Sequence, residues 1–258
     1  MRVSKIIKFK NFFLHYSILK QKRVEALSDV NISIKKGEQI AVIGPSGCGK
    51  TTFLKSLVFA IRPTYGKLLF HNVDPWLISQ KRRHMMRSKI FISLQVPHLP
   101  PRQKVHAAVY AGKLAGVNSL VSIFSLIYPQ DIEQVKYALD CFGLADKIHE
   151  RVDRLSGGER QRIFLARAVV SKSELWAVDE PLASLDPIRA EGSILSLKKI
   201  AFKRNLTFVT SLHQTEIALK HFSRVIGIKQ GKIFFDQSPT TISDELIKNL
   251  YRTDSELN

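Results

Sequence analysis

The apolar positions of this chain follow two rhythms. Short runs rich in β-branched residues recur at VNISI (30–34), QIAVIG (39–44), IFISL (90–94), ELWAV (174–178) and LTFVT (206–210), then at RVIGI and KIFFD between 224 and 236. Several are continuously apolar, the pattern of strands covered on both faces. Helix-length segments lie between them, notably 50–61, 159–170 and 187–203. This alternation predicts an α/β fold with a mostly parallel sheet. Residues 101–153 break the rhythm. Val135, Leu139, Phe142 and Leu144 keep helical spacing with little strand signal, so the stretch reads as an inserted α-helical subdomain. There is no internal repeat, low-complexity tract or heptad run.

Length and composition narrow the picture. The chain has 258 residues, 45% hydrophobic and 24% charged, the profile of a globular core and not of disorder. The longest uncharged stretch, 114–130, is interrupted by Asn118, Ser119, Ser122 and Ser125 and falls short of a spanning helix. The start, MRVSKIIKFKNFFLHYS, lacks the apolar core of a secretory signal. Two isolated cysteines, Cys48 and Cys141, make neither a disulfide framework nor a zinc site, and a reducing cytoplasm is expected. The formal net charge of +18 attracts polyanions, either nucleic acid or an anionic membrane leaflet, and composition does not choose between them. The basic cluster Lys81, Arg82, Arg83, Arg87 and Lys89 reads as a solvated face, with contact to lipid headgroups or a membrane subunit as the alternative.

Two segments carry phosphate chemistry by themselves. Gly44-Pro45-Ser46-Gly47-Cys48-Gly49-Lys50-Thr51 fits G-x-x-x-x-G-K-[ST] and stands between an apolar strand and a helix. Glycines let backbone N–H groups turn inward on phosphate oxygens, Lys50 adds a charge for the β- and γ-phosphates, and the Thr51 hydroxyl suits Mg²⁺. Cys48 reads as a small loop residue, with a reactive thiol as the minority reading. The apolar strand LWAV ends in Asp179-Glu180, where one carboxylate can hold Mg²⁺ and the other can polarise an attacking water. Solvated strand ends are the bland alternative, and the phosphate loop shifts the balance against it.

Leu155-Ser156-Gly157-Gly158-Glu159-Arg160-Gln161-Arg162 opens the helix IFLARAVV. Ser156 and Glu159 fit a capping box, yet consecutive glycines at a helix start also free backbone donors for an anion. With LSGGERQR in place the sequence resembles, over nearly its whole length, the nucleotide-binding subunit of an ATP-binding cassette transporter. The resemblance implies a P-loop NTPase core with a mostly parallel sheet and an N-terminal antiparallel β region, formed by 1–100 and 154–258, with 101–153 as the helical insertion. All of 1–258 is then one ATPase domain.

It also implies a head-to-tail homodimer in which Ser156, Gly157 and Gly158 close over ATP held by the partner's phosphate loop. Gln95, ending IFISLQ, then senses the γ-phosphate through Mg²⁺ and water. His213 in SLHQ bonds the γ-phosphate and orients the water, and Asp186 lies in the loop that crosses the dimer. Asp186 before Pro187 also fits a helix N-cap. Thr52 joins the nucleotide contacts, and Tyr16, preferred over Phe12 and Phe13, stacks on adenine; residues 21–24 look like an insertion in that region.

Within the family, SLVSIFSLIYPQD, SLHQ and RVIGIKQGKIFFDQSP resemble the ATPase subunit of phosphonate importers. Leu94, Trp176, Ala177 and Gln237 depart from the usual pattern, and phosphonate, phosphite or a related phosphate ester stays open as solute. The partners implied are integral membrane permease subunits and a solute-binding protein. The chain would be peripheral, on the cytoplasmic face of the inner membrane. An exporter subunit is an alternative. A soluble nucleic-acid-associated ATPase is the rival that the charge favours, but such proteins carry coiled-coil heptads or paired cassettes, so no nucleic-acid partner is expected. A regulatory paralogue would have lost catalytic groups, whereas Lys50, Gln95, Asp179, Glu180 and His213 are all present.

Overall fold

In a computed structural model the described residues are 4–18, 22–94, 99–115, 131–182 and 185–252. They divide into two units, one formed by 1–79 with 207–258 and the other by 80–206.

The first unit is built on strand β1 (Lys5–Ile18), which pairs antiparallel with β2 (Lys22–Val30), β3 (Ser33–Lys35) and β5 (Tyr65–Phe70). One strand serves three partners because its register shifts between Lys10 and Phe13 and again between Phe12 and Leu14. Such bulges bend and twist a strand away from one neighbour toward another. This is the expected N-terminal antiparallel region. Phe9 and Phe12 point inward and meet each other edge-on at 5.0 Å, and Phe9 stacks at 5.3 Å on Phe53 of helix α1 (Lys50–Leu57).

The same unit holds the apolar strand β4 (Gln39–Ile43), parallel to both β8 (Thr207–Ser211) and β9 (Arg224–Lys229). Strand β10 (Lys232–Gln237) closes against β9 antiparallel. Residues 40–43 are wholly buried, as a strand flanked on both edges and covered on both faces must be. At the opposite, N-terminal end of these strands Arg224 donates to both oxygens of Asp236 at 2.7 Å and to Glu38 at 2.7 Å, and the two carboxylates hold its guanidinium above its ordinary pKa. Helix α1 ends earlier than its apolar run suggests. Phe59 takes a left-handed turn at φ 55° and buries its ring against Phe70, 5.4 Å away.

The second unit pairs β6 (Ile90–Ser93) with β7 (Leu175–Asp179) in parallel. Helix α2 (Gln80–Arg87) precedes β6 and buries no residue. The described part of 101–153 is helical. It contains α3 (Val105–Tyr110) and α4 (Ile132–Asp140), and Val135, Leu139, Phe142 and Leu144 are all buried. Its two ends are laced together, since Val105 donates to Glu150, Val152 to Gln103 and Asp153 to Pro101. Both helices pack on α5 (Gly157–Val170). Two arginines of α5 fasten the packing. Arg162 donates to the Phe142 carbonyl and Arg167 to that of Ala108, both at 2.6 Å, and burial lowers the Arg167 pKa to about 10. Helix α6 (Pro187–Lys203) runs over the span that its pattern predicts. Among the described residues no helix is long and apolar enough to cross a membrane.

Candidate nucleotide site

The phosphate loop leaves the carboxyl end of β4, the edge of a parallel sheet where ligands bind in α/β folds. Gly44 and Gly49 have φ of 149° and 111°. A Cβ on Gly44 would lie 2.1 Å from the Ile228 carbonyl oxygen, and one on Gly49 would lie 2.7 Å from that of Ala26. Both positions therefore need glycine on steric as well as conformational grounds. The loop is fastened by the β9–β10 turn, where Gly231 donates to Cys48 and accepts from Ser28, each at 2.9 Å. Lys50 is almost wholly buried, and its Nζ donates to the Gly44 and Pro45 carbonyls at 2.8 and 3.1 Å. The lysine charge is thus held inside the curl of the loop. Gly49 caps α1 without a side-chain acceptor, and no acid stands in the first turn, so neither the cap nor the first turn compensates the positive end of the helix. The Cys48 thiol is buried, and that burial pushes its pKa up despite Lys50; it is a packing group, not a thiolate.

Other members of the expected set stand in the same unit. His213 is exposed two residues past the end of β8, whose Ser211 is level with Val42 of β4, so it sits at the same strand edge as the loop. The Tyr16 hydroxyl lies 3.5 Å from Thr52 Oγ1 in the first turn of α1, and the residue is 37% exposed. Phe12, by contrast, is in the core with no exposed area. A cleft of about 290 Å³ flanks the loop, lined by Ser46, Gly47, Lys229, Gln230, Tyr251 and Arg252. The turn and C-terminal residues of that cleft escaped sequence reasoning, because no local pattern marks a hairpin some 180 residues downstream as the wall of a phosphate loop.

The acids stand in the second unit. Asp179 ends β7 and is 1% exposed, and Glu180 follows at 9%. Glu180 has φ 46°, a left-handed conformation that costs a non-glycine residue about 1 kcal/mol or more. Gln95 lies outside the described residues, although β6 reaches Ser93 level with Val178 beside these acids. At the start of α5 the capping box is complete. Ser156 Oγ accepts from the Glu159 amide at 3.2 Å, and Glu159 Oε2 accepts from the Ser156 amide at 2.8 Å. These bonds hold the Glu159 carboxyl below its ordinary pKa. Ser156 and Gly157 are exposed, and open space surrounds the Gly157 α-carbon. Asp186 caps α6 by accepting from the Arg189 amide at 3.0 Å, with Pro187 in the first turn.

The Thr51 hydroxyl of the first unit and the buried Asp179 carboxylate of the second are each hard oxygen donors of the kind that Mg²⁺ takes, and Mg²⁺ commonly completes its shell with waters and substrate phosphates. Among the described residues no cluster of three or more His, Cys, Asp or Glu could hold a metal without such help.

A family model described as ABC transporter matches residues 27–183. The chain is 46% identical over 228 residues to the Phosphonates import ATP-binding protein PhnC 2 of Albidiferax ferrireducens, covering 88% of this chain and 82% of that protein. It is 44% identical over 245 residues to the corresponding PhnC protein of Polaromonas sp., covering 95% and 88%. Among solved structures it resembles the dimeric bacterial ABC transporter cassette MJ0796, with TM-score 0.79 and 26% identity over 90% of this chain and 98% of that one. The same cassette in a dimeric post-hydrolysis state bound to ADP and Pi gives TM-score 0.75 at 25% identity, with the same coverage.

Proposed function

We infer that this chain, which belongs to the ABC transporter family, is the ATP-hydrolysing subunit of an importer for phosphonates or a related phosphorus-containing anion. The observation that carries the reading is the 38–46% identity to phosphonate-import ATP-binding proteins over 88–95% of the chain, well past the stretch matched by the family model. The subunit works as a dimer of cassettes coupled to membrane permease subunits, and we propose a solute-binding protein as the further component of the assembly. It lies peripherally, on the cytoplasmic face of the inner membrane.

In this reading the backbone of residues 44–49 wraps the phosphates of ATP, with Ser46, Thr51 and Thr52 supplying hydroxyls and Cys48 only its amide. Lys50 leaves its carbonyl partners for the β- and γ-phosphates, an exchange of neutral acceptors for anionic ones that strengthens its hydrogen bonds. Tyr16 offers its exposed ring to adenine. The partner's Ser156, Gly157 and Gly158 present helix-start amides to the γ-phosphate, so closure is favoured only while that phosphate is attached. A ligand contacted from both chains in one state alone binds the two states differently, and that difference drives the movement. Asp186 crosses between the chains.

Thr51, Asp179 and Gln95 would hold Mg²⁺, which when bound neutralises phosphate charge. Glu180 takes the proton of the attacking water as general base, and His213 fixes that water against the γ-phosphate. Replacing Glu180→Gln should leave nucleotide binding intact and slow hydrolysis by roughly two to four orders of magnitude. Turnover near wild type, measured as phosphate release from the reconstituted transporter, would reject Glu180 as base. Stimulation of that turnover by a phosphonate-loaded binding protein tests the solute, and stimulation only by unrelated solutes would overturn it.

A further inference from the structure

A second cationic cleft lies entirely within the 80–206 unit, apart from the phosphate loop. It has a volume of about 190 Å³ and is lined by Cys141 and Phe142 after α4, Arg162 of α5, and Arg189, Gly192, Ser193 and Ser196 of α6. None of the lining residues is acidic. Arg162 spends one N–H on the Phe142 carbonyl, while its Nε is buried with no partner among the described residues. Burial, the largest cause, and the neighbouring charge of Arg189 disfavour its cation and outweigh the opposing pull of Glu159, Asp186 and Asp146. Three of the nearby acids are already engaged, while Asp140 stands beside Cys141. Glu159 is locked in the capping box, Asp186 caps α6 and meets Arg189 at 3.5 Å, and Asp146 faces Lys147 at 3.8 Å. The Cys141 thiol, raised by burial, stays neutral and brings no charge of its own. Gly192 has open space over its α-carbon and the serines are short, so α6 leaves room where a larger side chain would fill the gap.

Two guanidinium groups converging on a small walled cleft, with hydroxyls beside them, form a receptor for an oxyanion. An anion accepting from the remaining N–H groups of the two arginines relieves their mutual repulsion through charge-assisted bonds. We propose that this cleft binds a tetrahedral oxyanion, phosphate or phosphonate, bridging Arg162 of the signature helix to Arg189 of the helix that Asp186 caps. An anion seated there competes with Asp186 for Arg189. It therefore acts on the loop between chains and not on the nucleotide itself. The phosphonate source rests on the importer reading; the site does not.

The test is titration calorimetry of the full-length protein at constant ionic strength, its phosphate loop saturated with Mg²⁺ and a non-hydrolysable ATP analogue. Inorganic phosphate and methylphosphonate are titrated separately, with chloride as control. Saturable binding of one anion per chain is expected, weakened about tenfold by Arg189→Gln through loss of a charge-assisted bond. Because Arg162→Gln also loses its bond to Phe142, Ser196→Glu is the second variant. It places a carboxylate in the cleft, and should abolish anion binding while raising the melting temperature in phosphate-free buffer. No saturable heat with either anion, or binding unchanged in both Arg189→Gln and Ser196→Glu, overturns the site. Binding of phosphate alone keeps the site and removes phosphonate as its ligand, leaving the importer reading to its own transport assay.

Discussion

Glu180, the proposed general base, holds a backbone conformation that costs stability. Its positive φ is a strained choice for an acid. The strain predicts an ordering between two variants that both lack the side chain. Glu180→Gly should unfold at higher denaturant than Glu180→Ala, by about 1 kcal/mol, because only glycine adopts that turn freely. Equal or reversed midpoints in urea would show that the turn carries no strain. Gly44 makes the complementary case, in which space and not only conformation is at issue. A methyl group 2.1 Å from the Ile228 carbonyl oxygen must displace β9 or the loop. Gly44→Ala should therefore weaken ATP binding and lower the melting temperature together, and loss of neither would show that the two segments yield.

At the scale of the element, the signature helix combines a good start with a possible anion contact, and the structure makes these compatible. Ser156 and Glu159 satisfy each other's amides, so the helix begins firmly while Gly157 stays exposed. Ser156→Ala should cost about 1 kcal/mol of stability, the usual worth of an N-cap, measured by denaturant unfolding. The Glu159 carboxyl has its pKa depressed by the same bonds. Its contribution is full above the ordinary glutamate pKa, about 4.3, and is lost as pH falls through the lower folded value. Stability should thus drop more between neutral and acid pH in the wild type than in Glu159→Gln, whose amide can still close the box without titrating. Parallel profiles for the two proteins would remove Glu159 from the acid response. Helices α5 and α6 were legible in outline because the partners within each cap, Ser156 with Glu159 and Asp186 with Arg189, are three residues apart. Strands β1 and β5 were not, because β1 shifts register against each of its partners and Tyr65, Gly66 and Lys67 of β5 are exposed, so neither keeps an alternating pattern.

For the whole molecule the decisive event is assembly. Each cassette offers a phosphate loop and a signature helix, and in the proposed cycle each ATP needs one of each from different chains. The Glu180→Gln protein with Mg²⁺ and ATP should consequently double its mass in light scattering and return to the monomer with ADP. A monomer under both conditions, even with its permease present, would remove the shared-nucleotide mechanism. The charge of +18 opposes this association through repulsion between like chains, so dimerisation should strengthen at moderate salt.

The sequence alone determined the chemistry: the phosphate loop, the acid pair, the capping box and the Asp186–Pro187 helix start. Each is a device whose parts are neighbours in the chain, so its physics is readable from spacing. It also marked the buried strands β4, β7 and β8 by their apolar runs, whereas the similar run in β10 leaves Phe234 exposed. Only the tertiary structure decided that β4 lies between β8 and β9, that Ile228 and Ala26 wall in the loop glycines, and that Arg162 and Arg189 converge on one cleft. Those contacts join residues far apart in the chain, where pairing order and close approach depend on how all the elements pack together and leave no trace in local periodicity.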